Sequence, residues 1–157
     1  QALELFYEFE FPVHILTKSI LVKRDVDIIR RINNQNRVLV SFSLSSVDEK
    51  ISKIFEPNAP PIGARIHTLK KLHEQGIQPY VFIGPLLPMN PDELSEQIRP
   101  YIHYAYISRM NYISKTTYIY RKMNMEHWLD PVFLKGINKV GEQQRKHQVD
   151  GSLLQPR

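Results

Sequence analysis

The sequence predicts an α/β fold built on parallel strands. Short apolar runs alternate with amphipathic stretches between Val13 and Ser108. The apolar runs are near-continuous, as in strands covered on both faces. The repeating order of strand and helix calls for parallel strands joined by right-handed crossovers.

Leu3, Phe6, Tyr7 and Phe9 make residues 1–11 apolar enough for the end of a helix, and Pro12 stops it. Val13-His14-Ile15-Leu16-Thr17-Lys18 reads as the first strand. Val26, Ile29 and Ile32 then recur at helical spacing among the charges of residues 24–31, and Asn33-Asn34-Gln35-Asn36 breaks that helix. Residues 37–44 form a second strand. Ser46-Val47-Asp48-Glu49 has the form of a capping box, in which the Ser46 hydroxyl accepts an amide and Glu49 reaches back. It opens a short helix through Ile54. The prolines of residues 56–61 exclude helix and strand interior, so a loop follows.

Ile62, Ile66, Leu69 and Leu72 form the next helical stripe, and Gly76 stands where a C′ residue belongs. Residues 78–84 give a third strand, and Pro85 and Pro88 flank a turn. Asn90-Pro91-Asp92-Glu93 is a second capping box with proline at the first helical position, and its helix ends near Pro100. Residues 101–108 give a fourth strand. Farther on, Pro131 to His147 reads as an amphipathic helix, and the last ten residues as a frayed end.

Composition narrows the function classes. The 157 residues are one domain's worth, with no apolar run near the roughly 20 residues a membrane-spanning helix needs. No cysteine is present, which excludes disulfides, thiolate metal ligands and a cysteine nucleophile within these residues and fits a cytoplasmic protein. The net charge of +5 suits either a polyanionic partner or a solvated basic surface. Four strands do not close a barrel of the usual size, so the chain is expected to be part of a larger enzyme.

Ligands of β/α folds gather at the C-terminal ends of the strands. Strand one ends at Lys18, a cation at a strand end that needs an anionic partner or water, or that stands in an ordinary surface salt bridge. Strand two places Ser41, Ser43 and Ser45 on one face and Val40, Phe42 and Leu44 on the other. The serines suit a polar ligand or the filling of a tight lumen. Gly84, after Ile83, allows close backbone approach or meets the needs of a turn. Arg65 is placed to clamp a carboxylate or to stand as a solvated helix charge. Strand four ends in Ile107-Ser108-Arg109.

Taken together, Thr17-Lys18-Ser19, Val40-Ser41-Phe42-Ser43, Glu56-Pro57 through Ala59-Pro60 with Arg65, Gly76-Ile77, and Ile83-Gly84-Pro85 through Pro88 resemble the radical SAM superfamily. The nearest resemblance is to its spore photoproduct lyase-like, DNA repair photolyase branch, over about residues 12–109. The resemblance implies a partial (β/α)6 TIM-like barrel, with residues 1–109 holding its strands three to six; residues 110–157, beyond the resemblance, are expected to form a C-terminal helical extension. It implies a 4Fe–4S cluster on three cysteines and S-adenosylmethionine at the open iron site. Reductive cleavage then yields a 5′-deoxyadenosyl radical. By the same resemblance, Lys18 and Arg65 would meet the methionine carboxylate, and Ser41 and Ser43 the methionyl or ribose portion. Ile83 and Gly84 would meet the adenine, with the backbone at Ser108 nearby.

The chain departs from that pattern in having no cluster cysteines and no Gly-Gly-Glu-type motif, both expected upstream of Gln1. Without thiolates the cluster cannot be held, so this chain alone is expected to be inactive and to bind neither group. A truncated barrel would expose the edge of its first strand, and self-association around residues 13–18 is expected.

A nucleic-acid-binding module without catalysis is the alternative. Tyr101, Tyr104, Tyr106, Tyr112, Tyr118 and Tyr120 crowd one region among Arg109, Lys115, Arg121 and Lys122, a pattern that suits base stacking as well as a strand core with an amphipathic tail. Hydrolysis is disfavoured: the six histidines lack metal-ligand spacing, and no G-x-S-x-G elbow is present.

Overall fold

A computed structural model describes residues 1–108 and 110–129. The chain divides into two compact units, Gln1–Ser108 and Arg109–Arg157. The first carries a four-stranded sheet, all parallel, in the order β1-β2-β3-β4. Its elements are α1 (Ala2–Glu8), β1 (Val13–Thr17), α2 (Val26–Gln35), β2 (Val38–Ser43), α3 (Glu49–Phe55), α4 (Ile62–Glu74), β3 (Pro79–Ile83), α5 (Pro91–Ile98) and β4 (Ala105–Ile107). This is the α/β class that the alternation of patterns predicts.

The strand period of two divides the sheet cleanly. Val40, Phe42 and Leu44 of strand two and Val81 and Ile83 of strand three join Ile29, Ile32, Leu69 and Leu72 in the buried core. Helix α2 touches β2, and α4 touches β3. The other face carries His14 and Leu16, Ser41 and Ser43, Tyr80 and Phe82, and Tyr104 and Tyr106. The near-continuous apolar runs suggest that both faces are covered, but this second face stays open at its margins. Leu16 and Tyr106 are 54% and 58% exposed.

Aromatic rings make up much of that open face. Tyr80 stacks on Tyr104 at 4.8 Å between centroids, and Phe82 on Tyr106 at 5.5 Å. Burial, with the neighbouring Tyr80 phenol, holds the Tyr104 hydroxyl above the usual phenol range. The Nε2 of His14 is hydrogen-bonded to Ser41 Oγ at 2.7 Å and to Tyr80 Oη at 2.5 Å. With the proton on Nδ1, the single lone pair of this nitrogen accepts from one of the two hydroxyls at a time.

Several local expectations are corrected. Asn33, Asn34 and Gln35 do not break α2, which runs to Gln35 after a 3₁₀ turn at Ile20–Asp25. The three polar residues are exposed, and burial of Ile29 and Ile32 outweighs their modest helix cost, at most about 0.7 kcal/mol each. Helix α2 ends at Asn36, whose amide donates to Ile32 O and whose side chain donates to Glu10 O.

The predicted box at Ser46 is not formed. Asp48 is the N-cap of α3, and its Oδ1 accepts from the amides of Lys50 and Ile51. Ser46 is buried and donates to Pro88 O at 2.7 Å, while Glu49 accepts the Ile62 amide at the start of α4. Helix α3 also continues one residue past Ile54, to Phe55. The fourth strand is only Ala105–Ile107, because its ladder pairs with Val81–Ile83 alone and Tyr101 lies in a 3₁₀ turn.

Asn90 does cap α5, accepting from the amides of Asp92 and Glu93, with Pro91 in the first turn. Glu93 instead accepts from Gln97 Nε2, so only half of that box forms. Asn90→Ala is expected to lower stability by about 1 kcal/mol, measurable as a shift in the urea midpoint. Gly76, at φ +75°, ends α4 in the left-handed region that its sequence position predicts.

In the second unit, α6 spans Ile113–Lys122 and a 3₁₀ turn spans Glu126–Leu129. Lys115 Nζ lies 5.1 Å above the Tyr112 ring. The helix expected from Pro131 to His147 lies outside the described residues, as does Arg109. Among the described residues no helix is long and apolar enough to cross a membrane.

Candidate functional site

At the C-terminal ends of β1, β2 and β3 lies an open cleft of about 880 Å³. Lys18 and Ser19 line it from the end of β1, Ser43 from β2, Phe82 and Gly84 from β3, and residues 55–60 from the proline loop. Every strand of a parallel sheet points its C-terminal end the same way, so one loop between α3 and α4 can roof several strand ends at once.

Arg65 organises one wall. It is fully buried, and its Nη1 donates to Ser43 O at 3.1 Å and to Glu56 Oε2 at 3.0 Å. Its Nη2 donates to Ser52 Oγ at 2.9 Å. A buried guanidinium requires such partners, because its desolvation is otherwise uncompensated. The reading of Arg65 as a solvated helix charge is therefore overturned: helix α4 turns it inward, where it ties β2, α3 and the proline loop together.

Glu56 joins that wall to the cleft. One carboxylate oxygen pairs with Arg65, and the other lies 3.5 Å from Lys18 Nζ. Its backbone is held as well, since its amide donates to Ser52 O and its carbonyl accepts from Ala59 N. Sequence reasoning named Glu56 only as part of a motif. The available signal was an acid in front of a proline loop, nine positions before an arginine that opens an apolar helix. Lys18 keeps 39% side-chain exposure and is the most exposed member of the set.

The other candidates separate. Ser43 is buried in the cleft wall, and its hydroxyl has no hydrogen-bond partner among the described residues. Arg65 Nε is the other buried side-chain atom without a partner there. Ser41 faces the same side of β2 but is spent on His14, farther from the strand end. Gly84 lines the cleft beside Phe82, and a Cβ on it would stand 2.3 Å from that ring. Ile83 points the opposite way, into the helix-covered core. Its side chain therefore cannot lie against a ligand in the cleft, and the expectation for Ile83 is corrected to Phe82, its neighbour on the open face. Ser108 is held at the exit of β4, donating its amide to Ile83 O and accepting from Leu86 N. It does not line the cleft. The structure thus brings Lys18, Ser43 and Gly84 together, with Arg65 behind them.

No cluster of three or more metal-ligating side chains is found among the described residues. The cleft presents the accessible Lys18 ammonium, the partly buried Glu56 carboxylate, the Ser43 hydroxyl without a partner among the described residues, and the Phe82 ring.

Comparison with known proteins gives relatives without assigned roles. Over 85 residues the chain is 34% identical to Uncharacterized protein ORF301 of Acidianus two-tailed virus, covering 54% of this chain and 27% of the viral protein. It is 31% identical over 99 residues to Uncharacterized protein MJ0683 of Methanocaldococcus jannaschii, covering 62% of this chain and 37% of the archaeal one. It is also 31% identical over 81 residues to Uncharacterized protein Rv2578c of Mycobacterium tuberculosis, covering 52% of this chain and 24% of that protein. The chain therefore spans well under half the length of these relatives. No family model and no solved structure matches it.

Proposed function

We propose that this chain is the C-terminal part of a radical SAM domain and that its cleft cradles S-adenosylmethionine. In this reading the four strands are strands three to six of a partial (β/α)6 barrel, and the open aromatic face is part of its lumen. The observation that carries the proposal is the unpartnered, buried Ser43 hydroxyl beside Lys18 at the shared C-terminal end of parallel strands. A buried hydroxyl without a partner is costly, and a polar ligand would satisfy it.

The residues present fit the cofactor's organic part. Lys18 meets a carboxylate, Ser43 donates to the methionyl or ribose portion, and the Phe82–Gly84 wall accepts a flat purine. Arg65 acts from behind the wall, holding Glu56 and the Ser43 carbonyl rather than touching the ligand. The residues do not fit the 4Fe–4S cluster, because the 157 residues include no cysteine. Its thiolates belong, in this reading, to another part of a longer protein. When bound and reduced by one electron, S-adenosylmethionine supplies a hydrogen-abstracting group; this chain orients it.

Two measurements test the proposal. The missing cluster leads to the expectation that this chain binds neither group; its cleft nevertheless keeps the contacts for the organic part. The 157-residue chain should therefore bind S-adenosylhomocysteine, which needs no iron, and a longer protein carrying the cysteines, reconstituted anaerobically, should release 5′-deoxyadenosine. Failure of either overturns it.

The barrel reading also makes β1 an edge that another strand would cover. Its residues Val13–Thr17 carry neither lysine nor proline to discourage pairing. The isolated chain is expected to self-associate through this edge. Sedimentation velocity should show dimers or larger species at high concentration, and a clean monomer there counts against the edge.

A nucleic-acid partner is favoured by one observation, the exposed Tyr104 and Tyr106 stacked on their neighbours across the open face. Base stacking on such rings, with a basic chain, predicts oligonucleotide binding that weakens steeply with salt. Absence of binding at low salt removes this reading.

A further inference from the structure

We infer that Glu56 is the specificity-determining residue of the cleft and that the pair Lys18–Glu56 reads an α-amino carboxylate head group. The inference deepens the cofactor reading and rests on it.

The two partners are held unequally. Glu56 Oε2 is fixed by Arg65 at 3.0 Å, and Arg65 is itself fixed by Ser43 O and Ser52 Oγ. Glu56 Oε1 faces Lys18 at the longer 3.5 Å, and Lys18 is 39% exposed. Opening this half-exposed contact costs a factor of about five at most. Once Lys18 swings out, the cleft presents a mobile cation beside a stationary carboxylate oxygen.

A simple anion answers only Lys18 and is repelled by Glu56. A head group with both a carboxylate and an amino group replaces one long contact with two complementary ones. The amino group donates to Glu56 Oε1 in either of its protonation states. Ser43 Oγ, buried and unpartnered in the same wall, supplies a further polar contact and marks the cleft as a built site. Arg65 holds Glu56 in place throughout, so the selectivity does not depend on ordering a loop.

Three probes separate the contributions: S-adenosylhomocysteine, its des-amino carboxylate analogue, and 5′-methylthioadenosine, which lacks both groups. Their affinities for the 157-residue chain are read by isothermal titration. The unaltered chain should prefer S-adenosylhomocysteine to the des-amino analogue by about tenfold, the scale of one charge-assisted hydrogen bond. Glu56→Gln should abolish that preference while binding the des-amino analogue at least as well, and Glu56→Asp should keep part of it. Lys18→Met, which leaves the Arg65 pair untouched, should abolish the preference of the des-amino analogue over 5′-methylthioadenosine. An amide correlation spectrum of each variant confirms that it is folded. Binding of all three probes with equal affinity, or a full preference retained in Glu56→Gln, overturns the inference and leaves the cofactor reading standing. No binding of any probe overturns both.

Discussion

Arg65→Ala is expected to lower the stability of the sheet-bearing unit by about 3–5 kcal/mol, the cost of breaking a buried ion pair from one side. Three hydrogen bonds disappear with the guanidinium, and Glu56 is left with Lys18 at 3.5 Å as its remaining ion-pair partner. The carbonyl of Ser43 and the hydroxyl of Ser52 lose a donor, and the space once filled by a long side chain opens. Against a typical total of about 5–15 kcal/mol, such a loss is a large share of the fold. Urea unfolding followed by circular dichroism measures it. Adding Glu56→Gln to Arg65→Ala should recover part of the loss, since the orphaned charge is then gone. A single-variant loss below about 1 kcal/mol would show that the guanidinium is solvated after all.

Gly84→Ala is expected to disturb both packing and the cleft. Its φ is not the issue; the added methyl would lie 2.3 Å from Phe82 Cε1 and 2.6 Å from Cζ, closer than atoms tolerate. The Phe82 ring must swing, and in doing so it leaves its stack on Tyr106 and moves the wall of the cleft. Overpacking of this kind costs about 1–3 kcal/mol. Binding of S-adenosylhomocysteine should fall at least tenfold, the cost of about 1.4 kcal/mol in lost complementarity. Thermal melting and ring resonances of Phe82 and Tyr106 measure the first effect, titration the second. Unchanged melting and binding would show that the ring gives way freely and forms no part of the site.

These two residues also show how far reading the chain residue by residue reaches. Gly84 is legible because a glycine at a strand end is a recognisable signal of close approach. The same period of two that sorted Ser41 and Ser43 from Phe42 also sorts Phe82 and Gly84 from Ile83. Applied to β3, it would have placed Phe82 rather than Ile83 at the cleft. Arg65 is legible as a functional position but not as a buried one. Nothing within a helical turn of it says that α4 faces it toward Ser43, 22 positions earlier. Glu56 was nearly invisible, since its role exists only through Arg65 and Lys18.

The order and kind of the elements were determined by the sequence itself. Apolar periodicity, the Asn90 cap and the Gly76 stop act over a few residues, and those interactions survive in any tertiary context. Tertiary structure alone decided which polar groups are spent and which are left over. Asp48 rather than Ser46 caps α3 because Ser46 is drawn away to Pro88 O, 42 positions distant. Ser41 is consumed by His14, while Ser43, two residues on and of the same type, remains without a partner among the described residues. Hydrogen-bond satisfaction depends on which distant segments meet, and that is settled only when the sheet closes its register.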